Sequence, residues 1–400
     1  MDHLVDYIQW MGELSFSALP FNEADALVLC MLSYYDLSPL FPQNGRGPVP
    51  VRQALRLIEE DKVRVMLVGR DRGFQKILDC AARSKRYGEL LLCDYVDLYR
   101  QEPPLQFCAV TFRAPEFRFI AFRGTDNSLA GWEEDFMISF TVTEAQRLAA
   151  DYAAKAVTAA QPCYIGGHSK GGNLALYAAC MLPPEAWERV TRLFLLDGPG
   201  ICPEVMDDSC LQRIDPKTTK IQPAFSIVGK LFEPQITDSR IVQSSASGFV
   251  QHSLDTWGID HGKLLLADGP NPRSVWINDI LSRWIGGISQ EDRVIFVQEL
   301  FDALAANGAD SFDDIEEGGV GGFEAILAKF FASSEVTRKT VYDLPKRFLL
   351  GDSYDAITQK GIAGWLKDSF QAIQNQVMDG KPKAETEEQP EKDTSGDGAE

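Results

Sequence analysis

Hydrophobic positions along this chain change their period, and the changes divide it. After Asn22, a residue suited to cap a helix, Ala26, Leu27, Leu29, Cys30 and Leu32 recur at helical spacing as far as about Tyr35. The same spacing predicts two further helices near 51–60 and 74–85, packed on one face of a sheet. Residues 1–20 read as a short lead-in. From Gln106 the period falls to two and β-branched and aromatic residues take over. Residues 106–112 and 117–122 form a predicted hairpin across Ala114-Pro115. A helix over 144–159 leads into a short apolar strand beginning at Cys163. Predicted strands follow at 192–196, 224–228 and 240–244. Strands alternating with helices predict a mostly parallel sheet with helices on both faces, the α/β class.

Beyond about Ser274 the pattern is helical again. Trp276, Ile280, Leu281 and Trp284 make one stripe. Ser289 with Asp292 caps a second helix carrying Val294, Val297, Leu300, Phe301 and Leu304, stopped at Asn307-Gly308. Residues 323–331 and 362–377 form further amphipathic stretches, more simply read as packing surfaces than as membrane or partner surfaces. Residues 380–400 hold seven acidic residues and three lysines without apolar periodicity, the signature of a disordered tail. The expected division is therefore a helical lead-in over 1–100, an α/β core over 101–273, a helical region over 274–379 and a tail over 380–400.

The candidate chemistry lies where the strand from Cys163 ends. Gly167-His168-Ser169-Lys170-Gly171 is a G-x-S-x-G turn, and Leu174, Tyr177, Ala178 and Met181 mark the helix after it. A serine between strand and helix is forced into a strained backbone, and small neighbours relieve the crowding. The helix start then offers free N–H groups and a positive dipole end to a developing oxyanion. Upstream, the strand ending in Arg123-Gly124-Thr125-Asp126 places the N–H of Thr125 as the first expected oxyanion donor, with its hydroxyl as a further one. The N–H of Lys170 is the second.

A serine nucleophile needs a base, and the base needs an acid to fix its tautomer. The chain has four histidines. His3 precedes the nucleophile, against the chain order of this fold, and His168 is expected to pack near the turn. His261 lies in a polar turn that reads as solvent-facing. His252 follows the small-residue loop Ser244-Ser245-Ala246-Ser247-Gly248 and is the expected base. Strand ends supply Asp197 and, after Gly229, Glu233 as candidate acids.

Composition narrows the class. A net charge of −19 excludes nucleic acid and an anionic membrane surface as main partners. The eight cysteines are scattered with no C-x-x-C pair, as in a reducing cytosol. No signal-like N-terminus and no apolar run of membrane-spanning length is present, so the expected location is cytoplasmic.

The stretches LSFSALPFNEAD, AFRGTD with WEEDF, GHSKGGNLALYAA, LDGPG, FSIVGKLFEP and IVQSSASGFVQHSLDTW resemble the Mbeg1-like (DUF2974) family of bacterial α/β-hydrolase-like proteins, related to class 3 lipases. The likeness extends over about 5–310, including the helical segment from Trp276. It implies an α/β-hydrolase fold and a serine hydrolase of lipase type, and the family supplies no settled substrate. The expected activity is lipase- or esterase-like hydrolysis of a small-molecule ester, thioester or lipid-like substrate, needing no metal or organic cofactor. The family's QH segment adds weight to His252. Class 3 lipases carry an Asp soon after the strand corresponding to 224–228, where this chain reads Gly229-Lys230-Leu231-Phe232-Glu233. Asp197 and Glu233 therefore both stand as candidate acids. The rival expectations are a catalytically silent scaffold that binds through the same pocket, and an acyltransferase.

Overall fold

A computed structural model describes residues 3–41, 47–66, 72–126, 128–157, 161–272, 288–305 and 332–337, with Ser274, Val275, Asn278 and Lys329 singly. The helices before the main sheet are α1 (Leu4–Met11), α2 (Glu23–Leu32), α3 (Leu55–Glu59), α4 (Arg72–Arg83) and α5 (Lys85–Gly88). Among the described residues one sheet has eight strands in chain order: β1 (Val49–Pro50), β2 (Leu91–Arg100), β3 (Leu105–Arg113), β4 (Arg118–Phe122), β5 (Cys163–His168), β6 (Val190–Leu196), β7 (Thr218–Pro223) and β8 (Asp238–Val242). Strands β1 to β4 pair antiparallel, and β4 to β8 pair parallel. Parallel neighbours need long crossovers. Helices α6 (Leu129–Met137) and α7 (Glu144–Ala156) join β4 to β5, α8 (Lys170–Met181) and α9 (Pro184–Trp187) join β5 to β6, and α10 (Asp208–Ile214) precedes β7. A small ribbon of β9 (Ile259–Asp260) and β10 (Lys263–Leu264) follows, then α11 (Gln290–Leu304).

Side chains of a strand point alternately to opposite faces, and here both faces are covered. On one face Cys108, Val110, Phe112, Phe119, Ala121, Phe194 and Leu196 pack against α1, α2 and α4. On the other, Phe107, Ala109, Ile120, Phe122, Ile165, Leu193 and Leu195 pack against α7, α8 and α10. A two-sided sheet explains why β3 is buried almost throughout. Emptying such a position, as in Phe119→Ala, costs about 3–5 kcal/mol. The C-terminal helix α11 adds Phe296, Val297 and Phe301 to a smaller cluster with Phe140 and Cys202.

Local signals place the helices that carry this packing. Asn22 Oδ1 accepts from Ala24 and Asp25 N–H at 2.9 and 3.2 Å, and Asp25 Oδ2 returns to Asn22 N–H at 2.9 Å. This capping box starts α2 where the sequence predicts it. The hairpin of β3 and β4 and the helices near 51–60 and 74–85 are likewise found, and the helix predicted over 144–159 is found as Glu144–Ala156, with Val157 already extended.

Three expectations are corrected. The lead-in contains α1, whose Leu4, Tyr7 and Ile8 are buried. The predicted helical stretch 1–100 also contains β1 and β2. A register shift between Cys93 and Val96, with Asp94 at φ 52°, breaks the two-residue period of β2 and hides it from pattern reading. The strand placed at 224–228 is instead β7, Thr218–Pro223. Its polar Thr218, Thr219, Lys220 and Gln222 are buried, whereas the apolar run after it is a loop containing a 3-10 turn, Val228–Lys230. The stripe from Trp276 to Trp284, the stop at Asn307-Gly308, the stretch 362–377 and the tail 380–400 lie outside the described residues, as does nearly all of 323–331.

Among the described residues no helix is long and apolar enough to cross a membrane. A largely parallel sheet in chain order, covered by helices on both faces and followed by a C-terminal helix, is an α/β-hydrolase fold.

Candidate active site

Strand β5 stops at His168, and Ser169 takes φ 58° and ψ −129° before α8 begins at Lys170. A positive φ is costly for a residue with a Cβ. The turn is held from outside, since Ser169 N–H donates to Leu196 O at 3.0 Å on β6. It is also relieved from inside: a Cβ on Gly171 would run into the carbonyl of Phe122. In the first turn of α8, the N–H groups of Gly172 and Asn173 return to Ser169 O at 2.9 and 3.4 Å. Lys170 N–H, one position into the helix, is among the N–H groups that a helix start leaves without an intrahelical acceptor, at the dipole's positive end. Buried Asn173 fixes this turn, donating to Pro199 O and Gly200 O at 3.2 and 2.9 Å and accepting from Gln146 Nε2 at 2.8 Å.

The next strand end along the sheet, after β6, carries Asp197, also at positive φ, 45°. Its N–H donates to Ile221 O at 2.8 Å. Its carboxylate is buried and doubly engaged. Oδ2 accepts from His252 Nδ1 at 2.6 Å, and Oδ1 accepts from Ser226 Oγ at 2.5 Å. Donation from Nδ1 leaves Nε2 as the acceptor of the His252 ring. His252 ends a 3-10 turn, Gly248–His252, and its side chain is 18% exposed, so solvent reaches it. The His168 ring lies 4.5 Å from it, with Nε2 at 2.8 Å from His252 O and Nδ1 at 2.7 Å from Tyr34 Oη. Burial, then the neighbouring His252, holds the His168 imidazole well below its ordinary pKa, so it stays neutral. Among the described residues no hydrogen bond joins the Ser169 hydroxyl to His252; such bonds are often loose before substrate arrives.

Helix α6 supports the other side. Lys170 Nζ, fully buried, donates to Glu134 Oε2 at 2.7 Å and to Gln106 Oε1 at 3.2 Å, with Asp135 at 3.9 Å. Glu134 also accepts the N–H groups of Gln106 and Ala145 at 3.0 and 3.2 Å. Thr125 Oγ1 donates to Asp135 Oδ2. The Thr125 hydroxyl is thus paired with Asp135. Burial pushes the Asp135 carboxyl up to about 7, and burial followed by Asp302 does the same to Glu133.

Ser169, Asp197 and Thr125 therefore end neighbouring strands, and His252 joins Asp197 from a loop 55 residues on. Glu233 is not brought to His252. Its carboxylate is taken by Lys220 and by Lys230, the latter at 2.7 and 2.8 Å. Burial alone would raise that carboxyl, but the two lysines bring it below its ordinary value. His261 is 81% exposed and pairs with Asp260, while His3 heads α1 with its ring 3.4 Å from Trp257 O. Sequence reasoning did not assign Tyr34, Ser226, Glu134 or Asp135. The last two stand in the WEEDF stretch, and a lysine directly after the serine signals that an acid must be near. Among the described residues no three His, Cys, Asp or Glu side chains are grouped to hold a metal ion.

A solved structure described as the crystal structure of M37 lipase aligns with this chain at 14% identity and a TM-score of 0.32, covering 52% of this chain and 69% of that one. No curated protein matches. Residues 81–302, which hold all of this cluster apart from Tyr34, match the family model described as Mbeg1-like, and the chain belongs to the Mbeg1-like family.

Proposed function

We propose that the chain is a lipase- or esterase-like serine hydrolase that cleaves an ester or thioester through an acyl-enzyme on Ser169. The observation that carries this reading is the 2.6 Å bond between His252 and Asp197 at the strand edge where Ser169 sits in a strained turn. In this reading Ser169 Oγ attacks the substrate carbonyl and His252 Nε2 takes its proton. Asp197 holds the ring through Nδ1 and stabilises the imidazolium. The N–H groups of Thr125 and Lys170 receive the oxyanion, each contribution of this kind being worth about 10²–10³ in rate. The leaving alcohol or thiol takes the proton from His252, and water then repeats the sequence on the acyl group. Asp197 rather than Glu233 is the acid, because Glu233 already neutralises Lys220 and Lys230.

The same reading takes 101–273 as the catalytic core, 1–100 as a cover on the sheet and 274–379 as a helical addition. A small ester or lipid-like molecule is the substrate. Free cysteines throughout favour a cytoplasmic setting.

Hydrolysis of a short-chain nitrophenyl ester tests the assignment. Ser169→Ala and His252→Ala should abolish turnover above background. Asp197→Asn should lower kcat by about 10⁴-fold, because the ring loses its tautomer, while Glu233→Gln keeps most of it. Turnover that survives in Asp197→Asn and collapses in Glu233→Gln would hand the acid's role to Glu233.

A further inference from the structure

The residue before Ser169 has two ring nitrogens, and each has a partner whose chemistry dictates the proton's place. His168 Nε2 lies 2.8 Å from the main-chain oxygen of His252, and Nδ1 lies 2.7 Å from Tyr34 Oη. A carbonyl oxygen only accepts, so Nε2 carries the proton and donates. Nδ1 is then a bare lone pair and accepts from the tyrosine hydroxyl. One tautomer satisfies both bonds. Both side chains are buried, and burial keeps the phenol protonated and the imidazole neutral.

We propose that His168, locked by Tyr34, is a positioning residue that tethers the main chain of His252 to the residue preceding the nucleophile. The proposal rests on the roles given above to Ser169 and His252. His252 ends a short 3-10 turn in the connection from β8 to β9, and connections of this kind wander more than the elements they join. The ring, held at Nδ1 by Asp197, turns about its side-chain bonds when the backbone shifts. Holding the carbonyl as well removes that freedom, and the His168 ring, inclined by 36°, bounds the base on one side. The preceding residue is anchored separately, by Trp257 Nε1 donating to Gln251 O at 2.8 Å, whereas the His168 bond acts on His252 itself. Because His168 and Ser169 are joined by a peptide bond, a displacement of the turn carries the base with it. Gly124 leaves room for the arrangement: a Cβ there would run into Tyr34 Oη and His168 O. Tyr34 thus sits between the turn bearing Thr125 and the residue that holds the base.

His168→Leu, His168→Gln and Tyr34→Phe test the tether, with two readouts. One is the low-field proton resonance of the His252–Asp197 bond; the other is the rate of labelling by a fluorophosphonate. A leucine fills space without donating, whereas the amide nitrogen of glutamine can take the place of Nε2. The expected result is loss of the low-field resonance and labelling slowed by about 10²-fold in His168→Leu, with recovery to within about tenfold of the wild type in His168→Gln. Tyr34→Phe, which unlocks the tautomer, should weaken the resonance and slow labelling by roughly three- to tenfold. A purely space-filling histidine predicts otherwise: His168→Leu would melt earlier yet keep both the resonance and the labelling rate, and that result overturns the proposal. Should His168→Leu not fold, Tyr34→Phe decides, and an unchanged resonance and rate in it overturn the proposal. A wild type that never labels, but whose low-field proton depends on His168 and Tyr34 as described, upholds the tether and overturns the reading of Ser169.

Discussion

Two buried ion pairs in this molecule are completed in different ways. Arg86 and Asp25 are both fully buried and 2.6 Å apart. The guanidinium also donates to Leu14 O and Leu19 O at 3.2 and 2.9 Å and covers the Phe16 ring. Asp25 accepts from Tyr7, Tyr87 and Asn22 N–H as well. Lys170 and Glu134 are as deeply buried and 2.7 Å apart, but their surroundings are unfinished. Among the described residues Gln106 Nε2 and Asp135 Oδ1 lack hydrogen bonds, and Asp135 is an acid pushed up to about 7. A pair with every atom satisfied serves the fold, here joining α1, α2 and α5. Unsatisfied polar atoms and a displaced carboxyl mark the place where stability has been given up, and this one lies under the turn that carries Ser169.

The largest effect expected from that contrast is on stability at the first pair. Arg86→Leu strands a buried carboxylate and should cost about 3–5 kcal/mol in urea unfolding, with the labelling rate of the folded fraction unchanged. Lys170→Met should cost less, about 1–3 kcal/mol, because Glu134 keeps the N–H groups of Gln106 and Ala145 as donors. Its labelling, however, should slow by about 10²-fold, since in the proposed mechanism Lys170 offers an oxyanion N–H and here loses its anchor. Equal labelling in the two variants would erase the distinction between the pairs.

The pH dependence sharpens the contrast further. Asp135 goes from an ordinary 3.8 to about 7 in the folded chain, so the folded state holds a proton that the unfolded state releases. Its contribution to stability is complete below pH 3.8, declines as pH rises towards 7, and is then lost. The difference in unfolding free energy between the wild type and Asp135→Asn should therefore change across that window, in favour of the variant as pH rises. A difference that is flat with pH would mean Asp135 titrates normally. The smallest effect belongs to the exposed pair of His261 and Asp260, where His261→Ala should shift stability by less than about 0.5 kcal/mol and leave labelling alone.

The parts legible in the sequence are those with a local cause. Gly167 to Gly171 and the helix after them could be read because a strained turn demands small residues in fixed places. Asn22 could be read because a cap is a contact over three residues. Strand β7 could not, because its buried Lys220 and Gln222 are tolerated only through partners such as Glu233, distant in sequence. The choice between Asp197 and Glu233 was open in the sequence for a related reason: that Lys220, 13 residues earlier, occupies the Glu233 carboxylate is visible only in the folded chain. Tyr34 gave no signal, being one aromatic among the apolar positions after α2, and its meaning depends on a partner 134 residues away.

The central claim is that Ser169 is the nucleophile. Intact-mass analysis of the wild type treated with a fluorophosphonate, followed by peptide mapping, tests it most directly. The predicted result is a single adduct on the peptide containing Ser169, absent from Ser169→Ala and formed far more slowly in His252→Ala. An adduct that persists in Ser169→Ala, or that maps to a different residue, would contradict the account.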